Sequence, residues 1–183
     1  MTKYLLTACT ALALAGCGCS SAPDQAQAPQ VQAPQAETAQ AETPAPTLTV
    51  LTARPDQAVS VTAARALAPG APVAVAGRIG GRRDPFIAGR SAFLLADADA
   101  IAACDVNPDD HCKTPWDYCC EAKDKIAAAT VLVQVVDTEG SVGTTALQGV
   151  GGMAPGSSVV ITGTLSPQST AANPIILAQA VYV

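Results

Sequence analysis

The sequence predicts an all-β domain, a small five-stranded barrel, carried at the end of a long polar segment. Three observations predict it. Five runs of alternating apolar residues fall between Val73 and Val183, Gly-rich or polar stretches separate them, and all five fit within about 115 residues. Closing such short strands into a barrel removes exposed sheet edges.

The elements follow in order. Ser60 or Thr62 can cap a short helix with Val61, Ala64 and Leu67 on one side, ended by Pro69-Gly70. Val73, Val75 and Ile79 then share a strand face, with Gly77 between them. Phe93 and Leu95 alternate in a second strand over 91–96, and Val131, Val133 and Val135 in a third over 130–136. Val159, Ile161 and Leu165 mark a fourth over 157–165, and 174–183 supply the fifth. The breaks are Gly80-Gly81, Asp137-Thr138-Glu139-Gly140, Gly149 to Gly156, and Ser166 to Asn173.

Upstream of this domain the chain reads as an export leader and a stalk. Lys3 precedes an apolar run from Tyr4 to Ala15, which is too short to span a bilayer but suits a signal peptide. Leu14-Ala15-Gly16-Cys17 resembles the lipobox of bacterial lipoproteins, so residues 1–16 are expected to be removed and Cys17 acylated. Leu6-Thr7-Ala8-Cys9 also fits the pattern but leaves too little hydrophobic run ahead of it. The resemblance implies membrane lipid as a partner and a cell-envelope location. Gly18, where Asp would favour inner-membrane retention, favours the outer membrane in a Gram-negative cell.

Residues 17–47 form the lipidated N-terminus and stalk, rich in Ala, Gln and Pro. Gln27-Ala28-Pro29-Gln30 recurs as Gln32-Ala33-Pro34-Gln35, and Ala36-Glu37-Thr38 as Ala41-Glu42-Thr43. Such composition cannot bury enough surface to offset its ordering entropy, so disorder is expected, with a reach between about 30 and 85 Å. The domain is expected over 48–183.

Within the domain, the stretch from Val61 to Gly70 leading into Val73-Ala74-Val75-Ala76-Gly77-Arg78-Ile79 resembles the opening of secreted OB-fold modules. Phe93-Leu94-Leu95-Ala96-Asp97 is similar to their second strand, and Gly156 to Gly163 to their fourth. The resemblance covers roughly 59–183 and implies an OB-fold-like Greek-key barrel. Two departures stand out. Thr145–Gly156 is Gly-rich where the family carries a helix between strands three and four, so that helix is expected to be short or missing. A Cys-rich insertion, 97–127, separates strands two and three. Its Lys113-Thr114-Pro115-Trp116-Asp117-Tyr118-Cys119-Cys120-Glu121 is similar to a TPWDYCC motif of uncharacterised OB-fold lipoproteins from environmental bacteria.

The insertion holds Cys104, Cys112, Cys119 and Cys120, the single His (His111) and the single Trp (Trp116). An even cysteine count in an exported domain reads first as two disulfides. A bond between the adjacent Cys119 and Cys120 would be strained, so Cys104 and Cys112 are each expected to bond one of that pair, in either arrangement. The resulting knot would display Trp116 and Tyr118 on a rigid loop. Alternatively, these four thiolates with His111 compose a ligand set for Cu(I) or Zn(II), or a vicinal Cys119–Cys120 disulfide serves a redox role. Asp105-Val106-Asn107-Pro108-Asp109 opens like an EF-hand loop. Asp110 stands where that loop needs Gly and Trp116 where it needs Glu, which excludes an EF-hand.

Function classes narrow accordingly. The net charge is −5, or −6 once Lys3 is removed with the leader (nine basic against fifteen acidic residues). An acidic body repels phosphate backbones, so nucleic acid is not the expected partner and enters by OB-fold analogy alone. One His, no nucleophile with a recognisable partner and no phosphate-cradling loop predict a non-catalytic protein with no cofactor. Arg78, Arg82, Arg83 and Arg90 surround the turn between the first two strands, where OB folds often meet their ligands, and Phe86 could stack there. The plainer reading is a charged loop that keeps a hairpin soluble. The expected role is a membrane-anchored binding module for an envelope protein, a glycan or a small ligand.

Overall fold

The computed structural model describes residues 46–183 other than 107, 108 and 110. The leader, the lipobox with Cys17 and all but the last two residues of the stalk lie outside the described residues. Among the described residues, no helix is long and apolar enough to cross a membrane.

Five strands build the barrel: β3 (Pro72–Ile79), β4 (Ala92–Ala96), β5 (Thr130–Gln134), β6 (Ser158–Leu165) and β7 (Ile175–Tyr182). Two short strands accompany them. β1 (Thr49–Val50) runs parallel to β7, and β2 (Val59–Ser60) runs parallel to β3. Hydrogen bonding makes a closed circuit from β3 through β4, β5, β7 and β6 back to β3. Only the β5–β7 pair in that circuit is parallel; the other four are antiparallel. The all-β, five-stranded barrel expected from the alternation is the observed architecture.

Alternation places the core. Val75, Ile79, Phe93, Leu95, Val131, Val133, Ile161 and Ile176 point inward and are buried. Burying each such side chain contributes roughly 1.5–3 kcal/mol, opposed by the ordering of the chain. A register shift at Thr162/Gly163 bends β6 against β7, as bulges do where a barrel must curve.

One mouth of the barrel is covered by α1 (Val61–Arg65), which begins at Ser60; the Ser60 hydroxyl accepts from the Ala63 amide at 3.3 Å. Val61 and Ala64 are buried, as their spacing predicts. Leu67 is a correction: the helix stops at Arg65, so Leu67 falls in the following turn and is 39% exposed. Gly77 is bare because a Cβ there would come within 2.7 Å of the Ala96 carbonyl and 3.0 Å of Val61. Its absence lets helix and hairpin close on one another.

The connection from β5 to β6 carries no α-helix, only a single 3-10 turn over Val150–Gly152, in line with its Gly-rich sequence. Between β4 and β5 the chain makes 3-10 turns at Cys104–Val106 and Pro115–Asp117, then α2 (Lys123–Ala128). Ala96, Ile101, Ala103, Tyr118 and Ala129 form a second, small apolar cluster beneath this segment, with Ile126 against it.

Candidate binding groove and cysteine cluster

The segment between β4 and β5 is fastened to the barrel at several points. Asp97, buried at the end of β4, accepts from the Thr62 amide (2.8 Å) and the Thr62 hydroxyl (2.6 Å) with one oxygen. Its other oxygen accepts from the Asp99 and Ala100 amides. Burial alone would push this carboxyl up; the bonds from Thr62, with Ser60 and the Asp99 amide behind them, outweigh burial and hold it below the usual range.

Arg78 on β3 reaches across to Asp105 in a two-pronged ion pair at 2.9 and 2.6 Å, and donates to the Gly156 carbonyl at 2.9 Å. The paired guanidinium holds the Asp105 carboxyl low, chiefly through these hydrogen bonds. Arg78 is therefore a clamp between strand and insertion rather than a surface available to a ligand.

Gly80 and Gly81 admit the next attachment. The Gly81 amide donates to the Trp116 carbonyl at 2.8 Å, and a Cβ on Gly80 would sit 2.4 Å from that same oxygen. Trp116 in turn donates its indole N–H to the Arg83 carbonyl at 2.9 Å. Tyr118 follows in the left-handed region (φ 55°) and turns its ring into the small apolar cluster, where it is wholly buried. The expectation that Tyr118 is displayed beside Trp116 is thus corrected. The left-handed backbone at Tyr118 turns its ring inward while the Trp116 ring remains half-buried at the surface.

Around Trp116 lies a groove of ≈ 520 Å³. Phe86, Ile87 and Leu147 are apolar members of its lining, and Arg83, Asp84, Arg90 and Gln148 are polar ones. Phe86 is held by Phe93 of the core, with ring centroids 5.7 Å apart and planes tilted by 44°. Of the six residues expected to meet a ligand, Arg83, Phe86 and Trp116 converge here. Arg78 and Tyr118 are used elsewhere, and Arg82 turns its Nε to the Asp84 carbonyl. The far wall, Ala146 to Gln148 with Pro155, was not expected. It comes from the Gly-rich connector, whose sequence carries no periodic signal and which the closed sheet brings opposite the β3–β4 loop.

The four cysteines also converge. Cys104 Sγ lies 3.9 Å from Cys119 Sγ and 3.7 Å from Cys120 Sγ; Cys119 Sγ lies 3.8 Å from Cys112 Sγ and 4.0 Å from Cys120 Sγ. Cys104, Cys112 and Cys119 make a triplet whose sulfurs all fall within 4.8 Å of one another. The partnerships expected of disulfides are present as contacts between thiols; no S–S bond joins the described cysteines. His111 is exposed and is not a member of the triplet. Burial, with the neighbouring Cys120 and Cys112 thiols, pushes the Cys104 thiol up to about 11. Cys119 is also raised, through Cys112 first and the Asp117 carboxylate second.

No family model, no curated protein and no solved structure matches the chain.

Proposed function

We propose that this chain is a lipid-anchored envelope protein whose OB-type barrel is a non-catalytic binding module for a small anionic ligand or the acidic end of a glycan. The observation that carries the binding role is the groove between the β3–β4 loop and Trp116. Its ≈ 520 Å³ falls in the range of small-ligand sites, which combine apolar walls with a few placed polar groups. Two arginines, Arg83 and Arg90, against one carboxylate, Asp84, leave its lining net positive on a chain whose net charge is −5. A flat apolar ligand face would lie along Phe86 and Trp116 while its anion meets the guanidinium groups. The circuit β3-β4-β5-β7-β6, with its one parallel pair, supports the OB-type assignment, and the β3–β4 loop is one of the two that such barrels use for ligands. Leu14-Ala15-Gly16-Cys17 supports the anchor.

Calorimetric titration of the protein with an acidic oligosaccharide tests the groove. Binding should weaken with salt and fall at least about tenfold in the Arg83→Glu/Arg90→Glu double variant, a loss of roughly 1.4 kcal/mol. Binding indifferent to both changes would exclude the site. For the anchor, Cys17→Ala should move the protein from membranes to the soluble envelope fraction; continued pelleting with membranes would refute lipidation.

A further inference from the structure

We propose that Cys104, Cys112 and Cys119, with Cys120 beside them, form a thiolate site for one soft closed-shell metal ion, Zn(II) or Cu(I), distinct from the groove. The sulfur separations point to it. A tetrahedron built on metal–thiolate bonds of about 2.3 Å has edges of about 3.8 Å. Within the triplet the Cys104–Cys119 and Cys112–Cys119 edges are 3.9 and 3.8 Å, and the remaining edge, Cys104 to Cys112, is below 4.8 Å. An ion can therefore sit among the Cys104, Cys112 and Cys119 sulfurs; Cys120, 3.7 and 4.0 Å from Cys104 and Cys119, lies outside that triplet and would have to turn its side chain toward Cys112 to become a fourth ligand.

The sulfurs are held in place by contacts that owe nothing to bonds among them. Asp105, next to Cys104, is clamped by Arg78 at 2.6 and 2.9 Å. Tyr118, next to Cys119, is anchored in the small apolar cluster. The Cys119 amide donates to Asp117 Oδ1 at 2.9 Å, and the other Asp117 oxygen accepts from the Thr114 hydroxyl at 2.8 Å. These bonds fix the turn so that the adjacent Cys119 and Cys120 direct both sulfurs to one side, 4.0 Å apart. Pre-positioned ligands spare the ion the cost of organising them.

Cys104 is buried, while Cys119 and Cys120 are exposed. The ion would therefore sit at the surface with an open path to solvent, an arrangement suited to exchange with other thiol ligands. On binding, each coordinating thiol gives its proton to solvent and the ion is held by the resulting thiolates; no electron moves.

The experiment uses the mature protein, isolated from the envelope under anaerobic conditions, with metal content and thiol number measured on the same sample. One zinc or copper ion per chain is expected, with thiols that become fully reactive only after a chelator removes the metal. Zn(II) and Cu(I) are then titrated separately into the metal-free reduced protein to tell which is preferred. Co(II), as a spectroscopic stand-in, should give thiolate charge-transfer bands and the visible bands of a tetrahedral site. Cys119→Ser should weaken binding by more than the 10- to 100-fold lost with a supporting contact. Cys112→Ser, at a half-buried position, should do the same while keeping the parent's thermal transition. Metal-free protein whose mass is lower by its lost thiol hydrogens, with peptides joining Cys104 or Cys112 to the adjacent pair, would overturn the proposal. So would reduced protein that binds neither ion. The groove variants should retain the metal, so failure of one site is distinguishable from failure of the other.

Discussion

Tyr118 buries its whole side chain, yet its hydroxyl meets no hydrogen-bond partner among the described residues. An unpaired buried hydroxyl is a cost, so the ring is what the site uses and the oxygen contributes nothing to stability. Tyr118→Phe is expected to leave the urea midpoint unchanged or raise stability by up to about 1 kcal/mol. A loss beyond about 1 kcal/mol would show that the hydroxyl is bonded. Asp97 is the opposite case, a buried carboxylate fully used by the Thr62, Asp99 and Ala100 donors. Its folded pKa is depressed, so its contribution is complete above the ordinary carboxylate pKa of about 4 and is lost as pH falls through the lower folded value. Asp105 follows the same sign, with a smaller effect because it is partly exposed. The expected outcome is a urea midpoint that drops below about pH 4, with a shallower drop in Asp97→Asn. The same slope in variant and parent would remove Asp97 from the explanation.

At the scale of elements, the barrel strands were legible because each buries one face and therefore alternates. Val131 and Val133 announce β5, and the buried Val135 continues their alternation one residue past its end. What escaped the sequence had no such signature. β1 and β2 are each two residues long, too short for any period. α2 has no side-chain cap and no buried residue, since Ile126 is only partly covered. Leu67 looked like helix because its spacing continues the α1 pattern, but the chain turns one step earlier. Trp116 was legible as a contact residue through its rarity, whereas Tyr118 was misread because its direction depends on a left-handed residue that spacing cannot reveal. The contact between the β3–β4 hairpin and the insertion gives a prediction at this scale. Gly80→Ala would drive a methyl against the Trp116 carbonyl and break its bond from Gly81. A stability loss of about 1–3 kcal/mol is expected, with Trp116 emission shifted toward that of a solvated indole. An unshifted emission would mean that the insertion does not rest on Gly80.

Across the whole molecule, sheet closure does what no single element could. It brings the loop after β3, the insertion after β4 and the connector after β5 to one place, and the groove is the space they leave. Two of those three segments announced themselves by composition, through arginines in one and the single Trp in the other. The third is visible only once the barrel is closed. The same closure leaves the sulfur cluster on the insertion, fastened to β3 by Arg78 but outside the groove lining. Ligand entry at Trp116, between Arg83 and Leu147, can be followed by recording amide and indole resonances of isotopically labelled protein as an acidic oligosaccharide is added. Shifts are expected at the Trp116 indole and the amides around Arg83, Phe86, Arg90 and Leu147, and nowhere else. Unmoved groove resonances, with shifts confined instead to the smaller cleft beside Arg54, Asp97 and Tyr182, would contradict it.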